Sequence, residues 1–390
     1  MSGSSPSRGR SVLDRVVAFM LDASVLERIA IAVLSALFAL AIGVAIVAVL
    51  FVLSETTSVL EIEVTTHPIE FGLVLFQQSF GSVNTIARTL RFTTMFALTG
   101  VAVAIAFRAG VFNIGVQGQF VVGGFSAVMA VLWAAPKLPE NALTGALLIV
   151  FATAVAAVTG GAYAALPGAL KAYADANEII TTIMLNFVAT GVVGYWVSGP
   201  YRGEGQAAPL TTPLPDHVSF PRLVFDSATF SIVGVGIAVV IAVLVAIFLS
   251  RTRYGYDMVT SGYQKSAAVY SGVDAKRTIV STMTLSGAIA GVAGSVFAIM
   301  ILGNYSDPAQ IPTYGFDAIA VSLLGANNPI AVLPAGLLFG ALESAGQGIK
   351  ISTNLPPSLI DGIVGLVVLF VAAPELFRML GRVTGLGGEK

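Results

Sequence analysis

The stretch "FRAGVFNIGVQGQFVVGGF", Phe107–Phe125, sets an arginine and three carboxamides beside five glycines in a hydrophobic sequence. The carboxamides belong to Asn113, Gln117 and Gln119. A carboxamide that faces lipid leaves its hydrogen-bonding groups unpaired at high cost, so we expect these side chains to face a cavity or another helix. The glycines allow neighbouring backbones to approach closely. The stretch therefore predicts a tightly packed, polar position inside a membrane protein.

The composition supports a membrane protein. Of the 390 residues, 56% are hydrophobic and 11% are charged, whereas soluble domains are about 25% charged. The formal net charge of −1 gives no basic surface for nucleic acid. The chain has no cysteine and two histidines, and it contains no H-E-x-x-H motif, so we predict no cofactor or metal site and no catalytic residue.

Apolar runs long enough to cross a bilayer recur along the whole chain. We predict an all-α, polytopic transmembrane helical bundle of about eight to ten transmembrane segments, with one or more broken or re-entrant helices. An inverted repeat is one arrangement that the pattern allows. The predicted spans are 29–53, 92–107, 111–135, 142–166, 179–198, 229–250, 278–301, the short run 316–325, 330–342 and 359–373.

Lysine and arginine set the expected orientation. Most of the 20 basic residues fall on one side if the N-terminus is cytoplasmic, although Arg88 and Arg91 then lie outside. We therefore predict a cytoplasmic tail 1–28, a transmembrane domain 29–377 with a cytoplasmic loop 250–277, and a cytoplasmic tail 378–390.

Carboxamides within the predicted spans, or at the corner between the spans 316–325 and 330–342, are the candidates for a solute path. They either line or shape that path or form interhelical hydrogen bonds that hold the bundle together, and the sequence leaves both interpretations open. The residues are Asn113, Gln117, Gln119, Asn186, Asn327 and Asn328.

Glycines in "LSGAIAGVAGS", Leu285–Ser295, predict a helix-packing face. Gly287 and Gly291 form a G-x-x-x-G pattern, and Gly294 lies on the adjoining stripe. This pattern specifies contact between helices and says nothing about the solute.

The loop "SRTRYGYDMVTSGYQKSAAVYSGVDAKR", Ser250–Arg277, brackets a small apolar patch with basic residues. Such a patch suits docking to another protein, although it could equally be an ordinary solvated connector. The chain contains no Gly-Lys dipeptide and hence no P-loop. If nucleotide hydrolysis drives transport, the ATPase is therefore another subunit, and this loop is the best candidate for its contact.

The chain resembles the permease subunits of ABC importers in the branched-chain amino acid, simple sugar and nucleoside group, from about Thr89 to about Ala373. Four blocks carry the resemblance. They are "LTGVAVAIAFRAGVFNIGVQGQFVVGGF", "ANEIITTIMLNFVA", "AAVYSGVDAKRTIVSTMTLSGAIAGVAGSVF" and "GFDAIAVSLLGANNPIAVLPAGLLFGAL". The first two look closest to the nucleoside and simple-sugar branch.

The resemblance implies a multi-pass plasma-membrane subunit that pairs with a second permease, two cytosolic ATP-binding subunits and an extracytoplasmic solute-binding protein. It also implies that 262–274 is the segment that contacts the ATPase. That segment departs from the family's usual A-V-G-x-N at Tyr263–Lys265. The implied ATPase-coupling residues are Gly262, Lys265, Ala267, Ala268, Tyr270, Gly272 and Asp274.

The function expected from these features is transport of a small polar solute, a nucleoside or a simple sugar, by a non-catalytic subunit embedded in membrane lipid. A branched-chain amino acid permease of the same family is the first alternative. An ion-coupled secondary transporter is the second, and for its buried carboxylates the sequence offers Glu343 and Asp361.

Overall fold

The computed structural model describes residues 68–352 without a gap, and outside that range residues 38, 41–46, 48, 49, 52, 361, 362, 365, 366 and 369. The predicted tails 1–28 and 378–390 lie outside the described residues, as do most of the predicted spans 29–53 and 359–373.

The described chain is helical, which confirms the predicted all-α bundle. Its longer elements are joined by loops, with an isolated antiparallel bridge between Leu210 and Ser306. The α-helices are α1 (Pro68–Phe80), α2 (Val83–Arg108), α3 (Val116–Ala134), α4 (Ala142–Ala174), α5 (Glu178–Ser198), α6 (Ile232–Arg251), α7 (Arg253–Tyr263), α8 (Lys265–Tyr270), α9 (Ala275–Phe297), α10 (Tyr314–Leu324) and α11 (Val332–Ser352).

Among the described residues, 6 helices are long and apolar enough to cross a membrane, so the chain is a multi-pass membrane protein. These are α2, α3, α4, α5, α6 and α9 with its π-helical extension to Leu302. The apolar helix α10 has only 11 residues. At 1.5 Å per residue it is about 16 Å long, roughly half the thickness of a bilayer core.

The chain divides into two compact units, one formed by residues 77–344 and the other by 1–76 with 345–390. The first unit holds the candidate site. In this unit α2 begins at a capping box, in which Ser82 accepts from the Thr85 backbone N–H and Thr85 accepts from the Ser82 backbone N–H. It ends at Arg108, and we refer to its two ends as the Arg88 end and the Arg108 end.

Glycines bring α9 into backbone contact with its neighbours. A Cβ atom at Gly287 would overlap Ala164 of α4, and one at Gly291 would overlap the carbonyl oxygen of Ala156. At Gly294 it would overlap the Phe120 carbonyl oxygen of α3. The residues selected as a packing face therefore lie where α9 touches α3 and α4.

Several helix boundaries differ from the predicted spans; for example, α4 continues to Ala174 and α11 to Ser352, beyond the predicted ends at 166 and 342. Helix α2 starts nine residues before the expected Phe92 and so includes Arg88 and Arg91. Helix α3 starts at Val116 instead of Val111, because residues 109–115 form a non-helical link. The expected loop 250–277 contains the helices α7 and α8.

Candidate functional site: a sealed amide cluster and an exposed short helix

The link between α2 and α3 turns back into the bundle. Gly110 takes a left-handed conformation with φ of 69°, and Asn113 is fully buried. The Asn113 side chain reaches Ser286, eleven residues along α9 from its first residue Ala275. Eleven residues of α-helix rise about 16 Å, so α3 begins deep inside the bundle.

Asn113 and Gln119 form a reciprocal amide pair. The Asn113 Nδ2 donates to Gln119 Oε1 at 2.9 Å, and the Gln119 Nε2 donates back to Asn113 Oδ1 at 2.9 Å. The second Asn113 Nδ2 hydrogen bond goes to Ser286 Oγ at 2.8 Å, and Asn113 Oδ1 also accepts from the Gly115 backbone N–H at 3.1 Å. Ser286 Oγ in turn donates to the Ala102 carbonyl of α2. The pair therefore ties α3 to α9 and α2.

Gln117 joins the start of α3 to the start of α10. Its Oε1 accepts from the Gly315 backbone N–H at 2.8 Å, and its Nε2 donates to the Pro312 carbonyl at 3.2 Å. Only glycine fits at position 315, since a Cβ atom there would overlap the Gln117 backbone nitrogen. The N-termini of two helices thus meet inside the bundle.

Asn186 on α5 forms hydrogen bonds with backbone groups at the start of α3. Its Oδ1 accepts from the Gly118 backbone N–H at 2.8 Å, and its Nδ2 donates to the Ile114 carbonyl at 2.9 Å. The first backbone N–H groups of a helix have no partner within the helix, so Asn186 and Gln117 stabilise these two buried helix starts.

These four carboxamides, Asn113, Gln117, Gln119 and Asn186, are buried, and each forms hydrogen bonds with groups of the same chain. We call them the amide cluster. This geometry favours interhelical bonding, the second of the two interpretations that the sequence allowed. A role in lining the solute path stays a prediction for Asn113, Gln117, Gln119 and Asn186.

Asn327 and Asn328 lie at the other end of α10, where both are partly exposed. Asn327 has a positive φ of 55°, and its Oδ1 accepts from Ser322 Oγ at 3.0 Å. Its carbonyl oxygen accepts from Arg108 Nε at 3.1 Å, which places α10's C-terminus at the Arg108 end. Asn328 Oδ1 accepts from the Ile330 backbone N–H.

Helices α3 and α10 both begin inside the bundle and run in opposite directions. The chain runs along α2 to the Arg108 end, turns back through the non-helical link 109–115, and continues as α3 away from that end. Helix α9 also runs away from the Arg108 end. Residues 303–313 then lead the chain back to Gln117, and α10 runs towards the Arg108 end. This antiparallel pair of interrupted helices is the arrangement that an inverted repeat produces.

The segment predicted to contact an ATPase lies at the Arg108 end. Gly262, in α7, packs directly on the link that leaves α2, because a Cβ atom at Gly262 would overlap the Arg108 carbonyl oxygen. It would also lie 2.9 Å from the Gly110 nitrogen. Gly262 therefore joins the short helices α7 and α8 to the same link that carries Asn113.

Helix α8 has one buried and one exposed face. Ala268 is fully buried, so it supports the helix and presents no surface to another protein. Ala267 is exposed, and the exposed fractions of Val269 and Tyr270 are 51% and 94%. The side chain of Lys265 lies outside the part of the chain that the structure describes.

The end of α8 is fixed by local hydrogen bonds. Gly272 takes a φ of 87°, and its backbone N–H donates to the Val269 carbonyl while that of Val273 donates to the Ala268 carbonyl. This Schellman motif needs glycine at the left-handed position. Asp274 then caps α9 by accepting from the Arg277 backbone N–H at 3.0 Å.

Sequence reasoning did not single out Asp317, and it placed Ser286 on the packing stripe of α9 without foreseeing its bond to Asn113. Asp317 is the one acid within the apolar run "TYGFDAIAVSLLG", Thr313–Gly325, and an isolated acid in such a run is itself a signal of function. Ser286 carries no comparable signal, since serine is common at helix contacts in membranes.

Comparison with known proteins gives consistent results. Residues 85–372 match the family described as branched-chain amino acid transport system / permease component. The guanosine ABC transporter permease protein NupP of Bacillus subtilis (strain 168) is 29% identical over 324 residues, which cover 81% of this chain and 89% of that protein. The nucleoside ABC transporter permease protein NupB of Lactococcus lactis subsp. cremoris (strain MG1363) is 28% identical, covering 78% and 84%.

A third relative is named for glucose transport. The glucose ABC transporter permease protein TsgB13 of Haloferax volcanii is 29% identical over 327 residues, covering 81% of this chain and 83% of that protein. These relatives are components of transporters and not enzymes, and a permease component works in a complex with other subunits. With a multi-pass helical bundle and a family match over most of its length, the chain belongs to the permease components of the branched-chain amino acid transport system family.

Proposed function

We propose that this chain is the permease subunit of an ATP-binding-cassette importer in the plasma membrane, and that it carries a nucleoside or a simple sugar. Its partners are a second permease, identical or different, two cytosolic ATP-binding subunits and an extracytoplasmic solute-binding protein. ATP hydrolysis occurs on the ATP-binding subunits, and the N-terminus lies in the cytoplasm. The names of the relatives, which mention guanosine, nucleosides and glucose, support this solute class.

The contact of Gly262 with Arg108 and Gly110 is the observation that carries the proposal. It connects an exposed short helix, which displays Tyr270, to the interior link of the bundle. The Arg108 end is then the cytoplasmic end. A partner that displaces α8 would push on the residues that lead to Asn113.

Hydrogen bonds inside the bundle would transmit such a displacement from the link to α3 and α10. Gln117 connects the start of α3 to the start of α10, and Arg108 connects the end of α2 to the end of α10 through the Asn327 carbonyl. A shift of the link would thus move both interrupted helices together. This movement would open and close the solute path by a rearrangement of packed elements, with no chemical step in this chain.

The coupling contact is tested by Gly262→Ala in the complete complex. The added Cβ atom has no room against the Arg108 carbonyl oxygen, so α7 and α8 must shift away from the link. We expect the variant to insert and to bind the ATP-binding subunits, to hydrolyse ATP, and to lose most solute uptake.

A matched control is Gly191→Ala, because nothing lies within 4 Å of a Cβ atom at that position. The control should transport normally. Normal uptake by Gly262→Ala, or equal losses in the two variants, would contradict the coupling role.

The solute class is tested separately with the unmodified complex and its binding protein. We expect ATP-dependent uptake of radiolabelled guanosine, uridine or glucose, and no uptake of leucine. Transport of leucine alone would replace the proposed solute class with the amino acid alternative.

A further inference from the structure

One side of α10 is exposed although the helix begins deep inside the bundle. Tyr314 points inwards, with its ring centroid 5.5 Å from that of Phe96 and 6.1 Å from that of Phe120. The other side carries Thr313, Phe316 and Asp317, which are exposed. We call these three residues the α10 face.

The α10 face lies at the level of the middle of α2. Phe96, the neighbour of Tyr314, is 12 residues from Arg108 and 13 residues from Val83. These separations correspond to about 18 Å and 20 Å of helix. Asp317 follows one turn after Tyr314 in α10, so its carboxylate lies near the level of the centre of α2, which is long enough to span the bilayer.

An exposed carboxylate at that depth restricts what can cover it. Placing a charged side chain against hydrocarbon at the centre of a bilayer is costly, so such residues face a water-filled cavity or a polar partner. Within this chain Asp317 has a weak hydrogen bond from Thr313 Oγ1 at 3.3 Å, which satisfies little of its capacity. Lipid is therefore an unfavourable neighbour for the α10 face.

Further ionisable groups extend from this face to the Arg88 end. Asp317 and Arg91 are both within electrostatic reach of Glu343. Arg91 donates to Thr229 Oγ1 at 2.9 Å, while its Nε is buried without a hydrogen-bond partner. Ionisable groups are thus present both on the α10 face and towards the Arg88 end.

We propose that the α10 face lines the solute path, and that Asp317 accepts hydrogen bonds from hydroxyl groups of the solute while Phe316 packs against its ring. This inference rests on the proposed function and deepens it. A carboxylate beside an exposed aromatic ring suits an uncharged, hydroxyl-rich solute and disfavours an anionic one. The path then passes beside the sealed amide cluster, and the partly exposed Asn327 and Asn328 lie at its cytoplasmic end.

Cysteine labelling tests this placement, since the chain has no native cysteine. Thr313→Cys, Phe316→Cys and Asp317→Cys are made one at a time in the complete complex in proteoliposomes. The probe is 2-(trimethylammonium)ethyl methanethiosulfonate, a charged reagent that reacts in water and is excluded from hydrocarbon. The matched control is Val240→Cys, because Val240 is 56% exposed in the middle of the lipid-facing helix α6.

We expect the three cysteines of the α10 face to react at least roughly tenfold faster than Val240→Cys, because the bilayer centre excludes charge. Modification of Phe316→Cys should also stop guanosine or glucose uptake. Reaction at the rate of Val240→Cys would show that lipid or a partner helix covers this face and would overturn the proposal. Fast reaction with unchanged uptake would overturn it as well.

The labelling rate does not depend on transport, so the two proposals can fail separately. Fast labelling that added guanosine or glucose slows, in a complex that shows no ATP-driven uptake, would contradict the importer function. It would still support the placement of the α10 face on the solute path. ATP-driven uptake combined with slow labelling would do the reverse.

Discussion

Replacing Asn113 with alanine tests whether the amide cluster holds the bundle together. The substitution removes the partners of three buried groups, namely Gln119 Oε1, Gln119 Nε2 and the Gly115 backbone N–H. Polar contacts between membrane helices contribute about 0.6 to 1.7 kcal/mol each. The expected loss in the free energy of unfolding for Asn113→Ala is therefore about 2 to 5 kcal/mol.

Gln119→Ala should lower the free energy of unfolding by less than Asn113→Ala, because Asn113 has hydrogen-bond partners besides Gln119. Without Gln119, Asn113 still donates to Ser286 and still accepts from the Gly115 backbone N–H. We expect a loss of about 1 kcal/mol. The double variant should be more stable than the sum of the two single losses predicts, since the pair is in direct contact.

The assay is denaturant or thermal unfolding of the purified permease in detergent, followed by tryptophan fluorescence. Gln310→Ala is the control, because Gln310 is exposed, and it should change stability by less than about 0.5 kcal/mol. An Asn113→Ala loss no larger than that of Gln119→Ala, or strict additivity in the double variant, would refute the reasoning. A raised uptake KM with unchanged stability would instead support the solute-path interpretation of Asn113.

Two further predictions concern the helix contacts and the docking surface. Gly291→Leu should prevent α9 from packing on α4, because even a Cβ atom at this position overlaps the Ala156 carbonyl oxygen. In size-exclusion chromatography the peak of the folded permease should be lost. The control variant Gly191→Ala should elute like the unmodified permease. If α8 docks the ATP-binding subunits as proposed, Tyr270→Glu should weaken their binding roughly tenfold or more in a pull-down titration, because it places charge on a 94% exposed aromatic side chain of α8. Tyr173→Glu, which alters a 69% exposed tyrosine outside α8, should leave that binding unchanged. Equal effects of the two variants would count against docking through α8.

Much of the helical framework was predictable because long apolar runs have only one stable form in a bilayer. Helix α4 begins at the predicted Ala142, and the predicted span 179–198 differs from α5 by one residue. The short, interrupted character of α10 also follows from the sequence, in which an apolar run stops at "GANNP".

The interior junction was not predictable from local pattern. An apolar run from Val111 is typical of one helix, yet residues 109–115 form a non-helical link, in which Gly110 adopts a left-handed conformation and distant groups hold the Asn113 side chain. Its partner Ser286 lies 173 residues away in the sequence. Whether a carboxamide faces a cavity or another carboxamide depends on such pairings, which composition and spacing do not contain.

Reconstituted uptake tests the central claim that this chain is a passive path moved by partner subunits. Three liposome preparations are compared: the permease alone, the permease with its ATP-binding subunits, and the permease with these subunits and the solute-binding protein. Uptake of radiolabelled guanosine and glucose is measured in each, with ATP, without ATP, and with an imposed proton or sodium gradient. The account predicts uphill uptake only when the ATP-binding subunits, the binding protein and ATP are present together. Uphill uptake by the permease alone, driven by an ion gradient, would contradict it.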